Sequence, residues 1–297
     1  MRSSKYQILL PQFKRTTMKP KISIVTPSYN QGHFLESTIQ SILNQNYPNL
    51  ELIIIDGGST DNSVAIIKKY QDKINFWVSE KDAGQTQAIN KGFKLATGDY
   101  VNWINSDDML PPGALHILAD TIQDNSGYDF YFGDYLAINE KDELLYLRKS
   151  APFSKRSLLW GRQLSSQPAV FFRRQLLEEY GYLNEKQQFC MDTEFWIRAS
   201  ENGATFRQIK HILGITRTHE DAKTTKLQNI LHNEHIEIVR HYQHLLFFQI
   251  GSRSENLYFF LMNRLWRLAT AVKRMTYRGD FTFMSASKAL KTITKVH

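Results

Sequence analysis

Between residues 21 and 105 the chain alternates between two periodicities. "KISIVT" (21–26) is a short β-branched run ending at Pro27, where a strand would lose a ladder donor. Residues 33–45 then place Phe34, Leu35, Ile39, Ile42 and Leu43 on one helix face. "LELIIID" (50–56) is almost continuously apolar and predicts a strand covered on both sides. "SVAIIKKY" (63–70) predicts a helix capped by Asp61, Asn62 or Ser63. A third strand is expected at 75–80, a third helix at 85–96 and a fourth strand at 99–105. A further helix (111–125) opens at Pro111-Pro112, since proline is tolerated in a first turn. From 129 onward, "DFYFGDYLAI" and "ELLYLRKS" read as hairpin strands, so the sheet is expected to be mixed.

Alternation of strand and helix means βαβ units, a mainly parallel sheet and helices on its faces. Such sheets bind ligands beyond the carboxyl ends of their strands. The unusual polar stretches fall there: "TPSYN", "DGGSTD", "SEKDAGQ" and "NSDD" follow the first four strands in turn. Four such ends in register predict a site.

Composition changes this picture in two places. The chain is 42% hydrophobic and 12% aromatic over 297 residues, which suits a packed core rather than disorder. Its one cysteine, Cys190, excludes an internal disulfide framework and fits a reducing compartment. The first apolar run, Ile8-Leu9-Leu10, is too short for a secretory signal, and no stretch reaches transmembrane length. The expected location is the cytoplasm. The net charge of +8 is concentrated at the end, where residues 253–297 hold nine Lys/Arg against two acids. Within them "ENLYFFLMNRLWRLATAVKRMTYR" (255–278) has two readings. It is an interfacial helix on an anionic membrane, or a helix docked on the domain with its basic face in water. Nucleic acid is not an expected partner, because no recognised module accompanies the basic patch. The expected division is an extension (1–20), a domain (21–240) whose halves meet near 115, and a basic amphipathic helical region (241–297).

The candidate chemistry begins with Asp107 and Asp108. Adjacent carboxylates at a strand end suit a hard divalent cation carried by phosphates; alternatively one of them caps the 111–125 helix. Asp56 precedes Gly57-Gly58, where the backbone could approach a ligand, or where an Asx-type turn forms. The sequence contains no GxGxxG, GxxxxGK[ST], HExxH or GxSxG pattern, which argues against nicotinamide, P-loop, zincin and serine-hydrolase chemistry.

These residues carry a resemblance. "VTPSYNQGHFLESTIQSILNQNYPNLELIIIDGGSTDNSVAIIKKY" and "SEKDAGQTQAINKGFKLATGDYVNWINSDD" resemble the nucleotide-sugar domain of the family-two glycosyltransferases, which have the GT-A fold. The resemblance is close from 21 to about 115 and weaker, through "QPAVFFRRQLLEEYGYLNE" and "MDTEFWIRASENG", to about 225. It implies inverting transfer of a sugar from a nucleoside diphosphate donor, with Mn²⁺ or Mg²⁺ as cofactor. By the same resemblance, Thr26, Pro27 and Tyr29 would line the nucleoside pocket, and Asp56 and Asp82 would accept hydrogen bonds from base and ribose. Ser106-Asp107 would be the core of a DxD motif with Asp107 as metal ligand. Asn105 stands where many members have the first Asp; its amide can bond a ribose hydroxyl but supplies no charge.

Inverting transfer also needs a base for the acceptor hydroxyl. In "CMDTEFWIR" Met191 and Asp192 take the places of the family's Glu-Asp pair, making Asp192 the expected base. Glu194 is the alternative, unless it pairs with Arg198 at i,i+4 on the surface. Arg217, His219 and Lys223 match the residues that close over the diphosphate, with His219 also a candidate metal ligand. The pairs His232/His235 and His241/His244 are expected on solvated helix faces, and Cys190 as a small buried hydrophobe.

The expectation is therefore an α/β enzyme of GT-A fold moving a UDP-linked hexose or N-acetylhexosamine. Its acceptor would be a saccharide or polyprenyl-linked glycan of a surface polysaccharide, at the inner membrane face. A sugar-phosphate nucleotidyltransferase would need a glycine-rich, basic loop after the first strand, and "TPSYNQGHF" has neither feature. A non-catalytic binder would have no use for Asp56, Asp107 and Asp192 together.

Overall fold

The computed structural model describes residues 19–159, 164–219 and 228–242. Lys223 and the whole basic tail from 243, with both readings of that tail, lie outside the described residues. The elements are β1 (Ile22–Ser28), α1 (Gly32–Leu43), β2 (Leu50–Asp56), α2 (Ser63–Lys69), β3 (Phe76–Ser79), α3 (Gln85–Leu95), β4 (Tyr100–Trp103) and α4 (Ala114–Asp124). They continue as β5 (Phe130–Ile138), β6 (Leu144–Arg148), α5 (Lys155–Leu159), β7 (Val170–Arg173), α6 (Gln175–Tyr180), α7 (Met191–Glu201), β8 (Phe206–Arg217) and α8 (Gln228–His241).

The strands form one mixed sheet in the order β3-β2-β1-β4-β7-β5-β6, with β8 also paired to β5. β3, β2, β1 and β4 are parallel. β7 is antiparallel to both β4 and β5, β6 is antiparallel to β5, and β8 runs parallel to β5. A mixed, mainly parallel sheet between helices is as expected. Successive strand residues feed opposite cores. Val25, Ile53 and Ile55 pack with α3, α5, α6, α7 and α8 on one face. Ile22, Ile24, Leu52 and Ile54 pack with α1, α2 and α4 on the other. This explains why the apolar run of β2 is unbroken: both its faces are covered.

Two boundaries depart from the sequence reading. β1 continues through Pro27, which is in register with Ile55. β4 pairs with β1 only as far as Val25, whose carbonyl accepts the Ile104 N–H at 2.9 Å. The nitrogen of Pro27 faces that same side, beyond the end of β4, so the missing N–H breaks no ladder bond. The helix expected from 111 begins instead at Ala114, capped by Gly113 in the left-handed region at φ 79°. Pro111 and Pro112 therefore precede it, and no side chain caps it. The helix-cap reading of Asp107 and Asp108 falls with this, because neither caps α4.

Gly92 lets α3 lie close on β1: a Cβ there would come within 2.3 Å of Val25 Cγ1. Val25 is completely buried and cannot yield, so Gly92→Ala is expected to destabilise the domain by about 1–3 kcal/mol despite alanine's better helix propensity. Urea unfolding of the two proteins measures this directly.

Candidate functional site

The carboxyl ends of β1 to β4 open on one edge. Thr26 and Pro27 are in the last turns of β1, and Thr26 is fully buried. Among the described residues its Oγ1, like Ser28 Oγ, has no hydrogen-bond partner. Tyr29 follows, 62% exposed at the rim. Asn30, in the left-handed region at φ 50°, laces this loop to the next one. Its Oδ1 accepts the Thr60 N–H and its own N–H donates to Ser59 Oγ, both at 2.8 Å.

The two acids expected to meet base and ribose differ in placement. Asp56 is fully buried. Its oxygens accept from Gly58 N–H (3.2 Å), Ser59 N–H (2.9 Å), Ser59 Oγ (2.6 Å) and Ser79 Oγ (2.7 Å). This is the Asx-type turn that the sequence offered as the other reading of Asp56, with four internal donors on its carboxylate. Asp82 is half-buried and accepts the Gly84 N–H at 2.9 Å. Its carboxylate lies over Gly57, where a Cβ would stand 2.7 Å from Oδ2. A cavity of about 250 Å³ lined by Asp82, Glu80, Lys81, Gln87 and Lys91 adjoins it.

After β4, each polar residue is held by a different element. Asn105 accepts from Gln85 Nε2 of α3 at 2.7 Å and donates to Asp108 Oδ2 at 3.0 Å. Ser106 is buried, with Oγ bonded to Gln31 Oε1 and its carbonyl accepting from Thr38 of α1. Asp108 turns inward, where it accepts from Thr216 Oγ1 (3.0 Å) and Arg217 N–H (3.1 Å) at the end of β8. Burial, and then the charge of Asp107, push its carboxyl well above the usual range. Asp107 turns outward, and its Oδ2 accepts from His219 Nε2 at 2.9 Å. An antiparallel bridge between Met109 and Ile215 makes this meeting possible across 112 residues.

This donor set suits a hard or borderline divalent cation. Two ligands in adjacent octahedral positions at about 2.1 Å would stand about 3 Å apart, close to the spacing of Asp107 Oδ2 and His219 Nε2. No group of three or more His, Cys, Asp or Glu side chains forms among the described residues. A cation held here would complete its shell with phosphate oxygens and water.

Arg217 is enclosed. Its side chain is 2% exposed. It donates from Nε to the Asp107 carbonyl (3.1 Å) and from Nη1 to the Asn139 carbonyl (3.1 Å) and Asp142 (2.6 Å), and lies 4.6 Å over the Phe34 ring. A guanidinium committed in this way braces the Asp107 backbone.

Asp192 is in the first turn of α7, half-buried, with Oδ1 accepting the Thr193 N–H at 2.6 Å. Desolvation pushes its carboxyl up to about 6, against the hydrogen bonds from Thr193. Glu194 is buried and paired with Arg198 through Nε (2.9 Å) and Nη2 (3.0 Å). Arg198 also donates to the carbonyls of Tyr180, Gly181 and Tyr182. The pair therefore clamps α7 to the loop before it, where the sequence suggested a surface contact. His235 corrects the expectation of a solvated face: half-buried, it donates to the Leu159 carbonyl at 3.2 Å, and burial lowers its basicity.

Four connections were not foreseen from the sequence. Gln85 reaches Asn105, and the next residue, Thr86, donates to the Gln187 carbonyl at 2.8 Å. One turn on, Asn90 exchanges hydrogen bonds with Leu183. The first turns of α3 thus join the acids after β4 to the segment leading into α7. The available signal was Thr86 and Asn90 at i,i+4 beside the apolar stripe of Ile89 and Phe93. The fourth, Glu234 of α8, accepts the N–H groups of Gln188, Phe189 and Cys190.

The sequence profile described as Glycosyl transferase family 2 matches residues 23–181. An uncharacterized glycosyltransferase of Rickettsia typhi is 27% identical over 225 residues, covering 71% of this chain and 68% of that protein. A GalNAc(5)-diNAcBac-PP-undecaprenol beta-1,3-glucosyltransferase of Campylobacter jejuni is 30% identical over 177 residues, 56% of each chain. Among solved structures, S. aureus TarS 1–349 in complex with UDP-GlcNAc superposes with a TM-score of 0.57 at 20% identity, over 74% of this chain and 66% of that one. The mannosyltransferase PcManGT of Pyrobaculum calidifontis, in complex with GDP-Man and Mn²⁺, gives 0.56 at 16% identity, over 94% and 81%. The shared architecture is the GT-A fold.

Proposed function

The chain belongs to glycosyl transferase family 2, and from that premise we propose that it transfers a sugar from a nucleoside diphosphate donor to a glycan acceptor with inversion. The proposed donor is a UDP-hexose or UDP-N-acetylhexosamine. The acceptor is a saccharide or lipid-linked glycan of a surface polysaccharide, met at the inner membrane face. The ligand of TarS supports the first of these, and the name of the Campylobacter relative supports the second. Among the described residues no helix is long and apolar enough to cross a membrane.

The observation that most supports this reading is the linkage through α3. Gln85 and Thr86 tie the Asp107/His219 edge and the approach to Asp192 to one helix turn. A donor diphosphate on that edge and a base beside it are what a single displacement requires. The Asp192 carboxylate takes the proton of the acceptor hydroxyl, whose oxygen attacks the anomeric carbon. The bond to the diphosphate breaks on the opposite face, and its electron pair leaves on the phosphate oxygen. Asp107 and His219 would hold a Mn²⁺ or Mg²⁺ ion, which supplies charge stabilisation for the departing diphosphate. Tyr29 and Asp82 line the path to the nucleoside, and Asn105 offers its remaining amide hydrogen to the ribose. A carboxyl near 6 is poised for this task, being ionised at neutral pH yet more basic than an ordinary aspartate.

Thermal stability against a panel of nucleoside diphosphates, with and without Mn²⁺, tests the proposal. UDP with Mn²⁺ is expected to stabilise the protein by about 2.7 kcal/mol at a hundredfold excess over Kd. Well-folded protein that responds to no nucleotide would overturn the donor reading.

A further inference from the structure

Helix α7 begins without a side-chain cap of its own, its N-cap position being Cys190. The three residues that lead into it present successive N–H groups, and Glu234 of α8 receives all of them. Oε1 accepts from Gln188 at 2.6 Å, and Oε2 from Phe189 at 2.8 Å and Cys190 at 3.0 Å. Three converging N–H groups make an anion-binding concavity, here filled by a buried carboxylate from 44 residues downstream. α8 lies outside the 23–181 segment that matches the family profile. It is nevertheless part of the core, with Ile238, Val239 and Tyr242 packed against the same face as α7.

We infer that Glu234 is a positioning residue for the proposed base: it fixes segment 188–190 and, through it, where the Asp192 carboxylate stands. The inference rests on the reading of Asp192 given above. Among the described residues no other element holds these three amides. The Glu194/Arg198 pair grips residues 180–182 and Thr86 grips the Gln187 carbonyl, so the last three residues before the helix depend on α8. Glu234 also places a negative charge near Asp192, as it does near the buried Cys190 thiol. That charge favours the protonated carboxyl and raises its basicity.

Glu234→Gln keeps the shape but turns an amide NH₂ toward N–H donors, so the segment loses part of its grip and all of the charge. The test needs no substrate. Thermal midpoints from pH 4 to 8 for wild type, Asp192→Asn, Glu234→Gln and the double variant give the effect of Asp192→Asn in each background, which tracks ionisation of Asp192. In the wild-type background the effect is expected to develop around pH 6, and with Glu234→Gln at lower pH. Hydrogen exchange at the amides of 188–190 is expected to quicken at least about tenfold, with β1–β4 unchanged. Glu234→Asp, which keeps the charge, is expected to restore the titration in part. Once a donor is in hand, kcat of Glu234→Gln is expected to fall roughly 10–100-fold at unchanged donor KM.

An unshifted titration, or unchanged exchange at those three amides, overturns the inference and leaves the base assignment standing. Exchange that quickens throughout the domain also overturns it, because Glu234 would then support the whole fold. Absence of any pH-dependent effect of Asp192→Asn in the wild-type background removes the base assignment, and this inference with it.

Discussion

Asp192→Asn is expected to lower kcat by roughly 10²–10⁴, the usual contribution of a positioned general base, while leaving the nucleotide-induced thermal shift intact. Asparagine preserves the shape and the oxygen that accepts the Thr193 N–H, so the loss is one of proton acceptance. In the wild type, kcat/KM should rise about tenfold per pH unit up to about 6 and then level off, because only the ionised carboxylate accepts a proton. Stability should move the other way. Burial raises the folded carboxyl above its ordinary value of 3.8, to about 6. Between these values the folded state binds more protons than the unfolded one, so wild-type stability falls as pH rises through this window. Asp192→Asn removes that dependence: it should match the wild type near pH 4 and be the more stable protein above pH 6. An inactive but stabilised variant is the mark of a group strained for function. Full turnover would remove Asp192 from the chemistry.

Asp107→Asn is the second large effect. It should abolish the Mn²⁺-dependent part of the nucleotide stabilisation, whose total is about 2.7 kcal/mol at a hundredfold excess over Kd. The asparagine oxygen can still accept from His219 Nε2, as Asp107 does at 2.9 Å, so the local structure survives. The charge does not, and without it a hard cation loses its one outward-facing protein carboxylate. The apoprotein should be no less stable, because Asp108 is buried and repelled by Asp107, and the substitution relieves that repulsion. A variant that folds as well as the wild type and binds UDP without responding to Mn²⁺ would support the reading. Retained metal dependence would move the cation site elsewhere.

How far the sequence carries differs from residue to residue. β2 was legible because an apolar run buried on both faces has few alternatives. The start of α4 was not, since the preference of proline for a first turn competes with the left-handed cap of Gly113, and only the backbone path decides between them. The two-carboxylate cluster after β4 was legible as polar groups gathered at a strand end. Which member faces outward was not, because that depends on β8 arriving from more than a hundred residues away to engage Asp108 and deliver His219. The same holds for Asp56 and Asp82, which look alike in sequence. One is enclosed by four donors, and the other lies over a glycine at the mouth of a cavity.

The sequence by itself determined the alternation of strands and helices, the edge of the sheet that carries the polar loops, and the residue types at that edge. Local periodicity and short-range turn chemistry suffice for these. Only the tertiary structure decided which side chains are spent on holding the site and which are left to act. Arg217 and Glu194 became braces, Asp108 was turned inward while Asp107 met His219, and Glu234 was recruited from a helix that reads as solvated. The reason is physical: a hydrogen bond satisfied by a residue 44 or 112 positions away leaves no trace in local pattern. Yet in a buried setting it determines which polar group is satisfied internally and which remains free to meet a ligand.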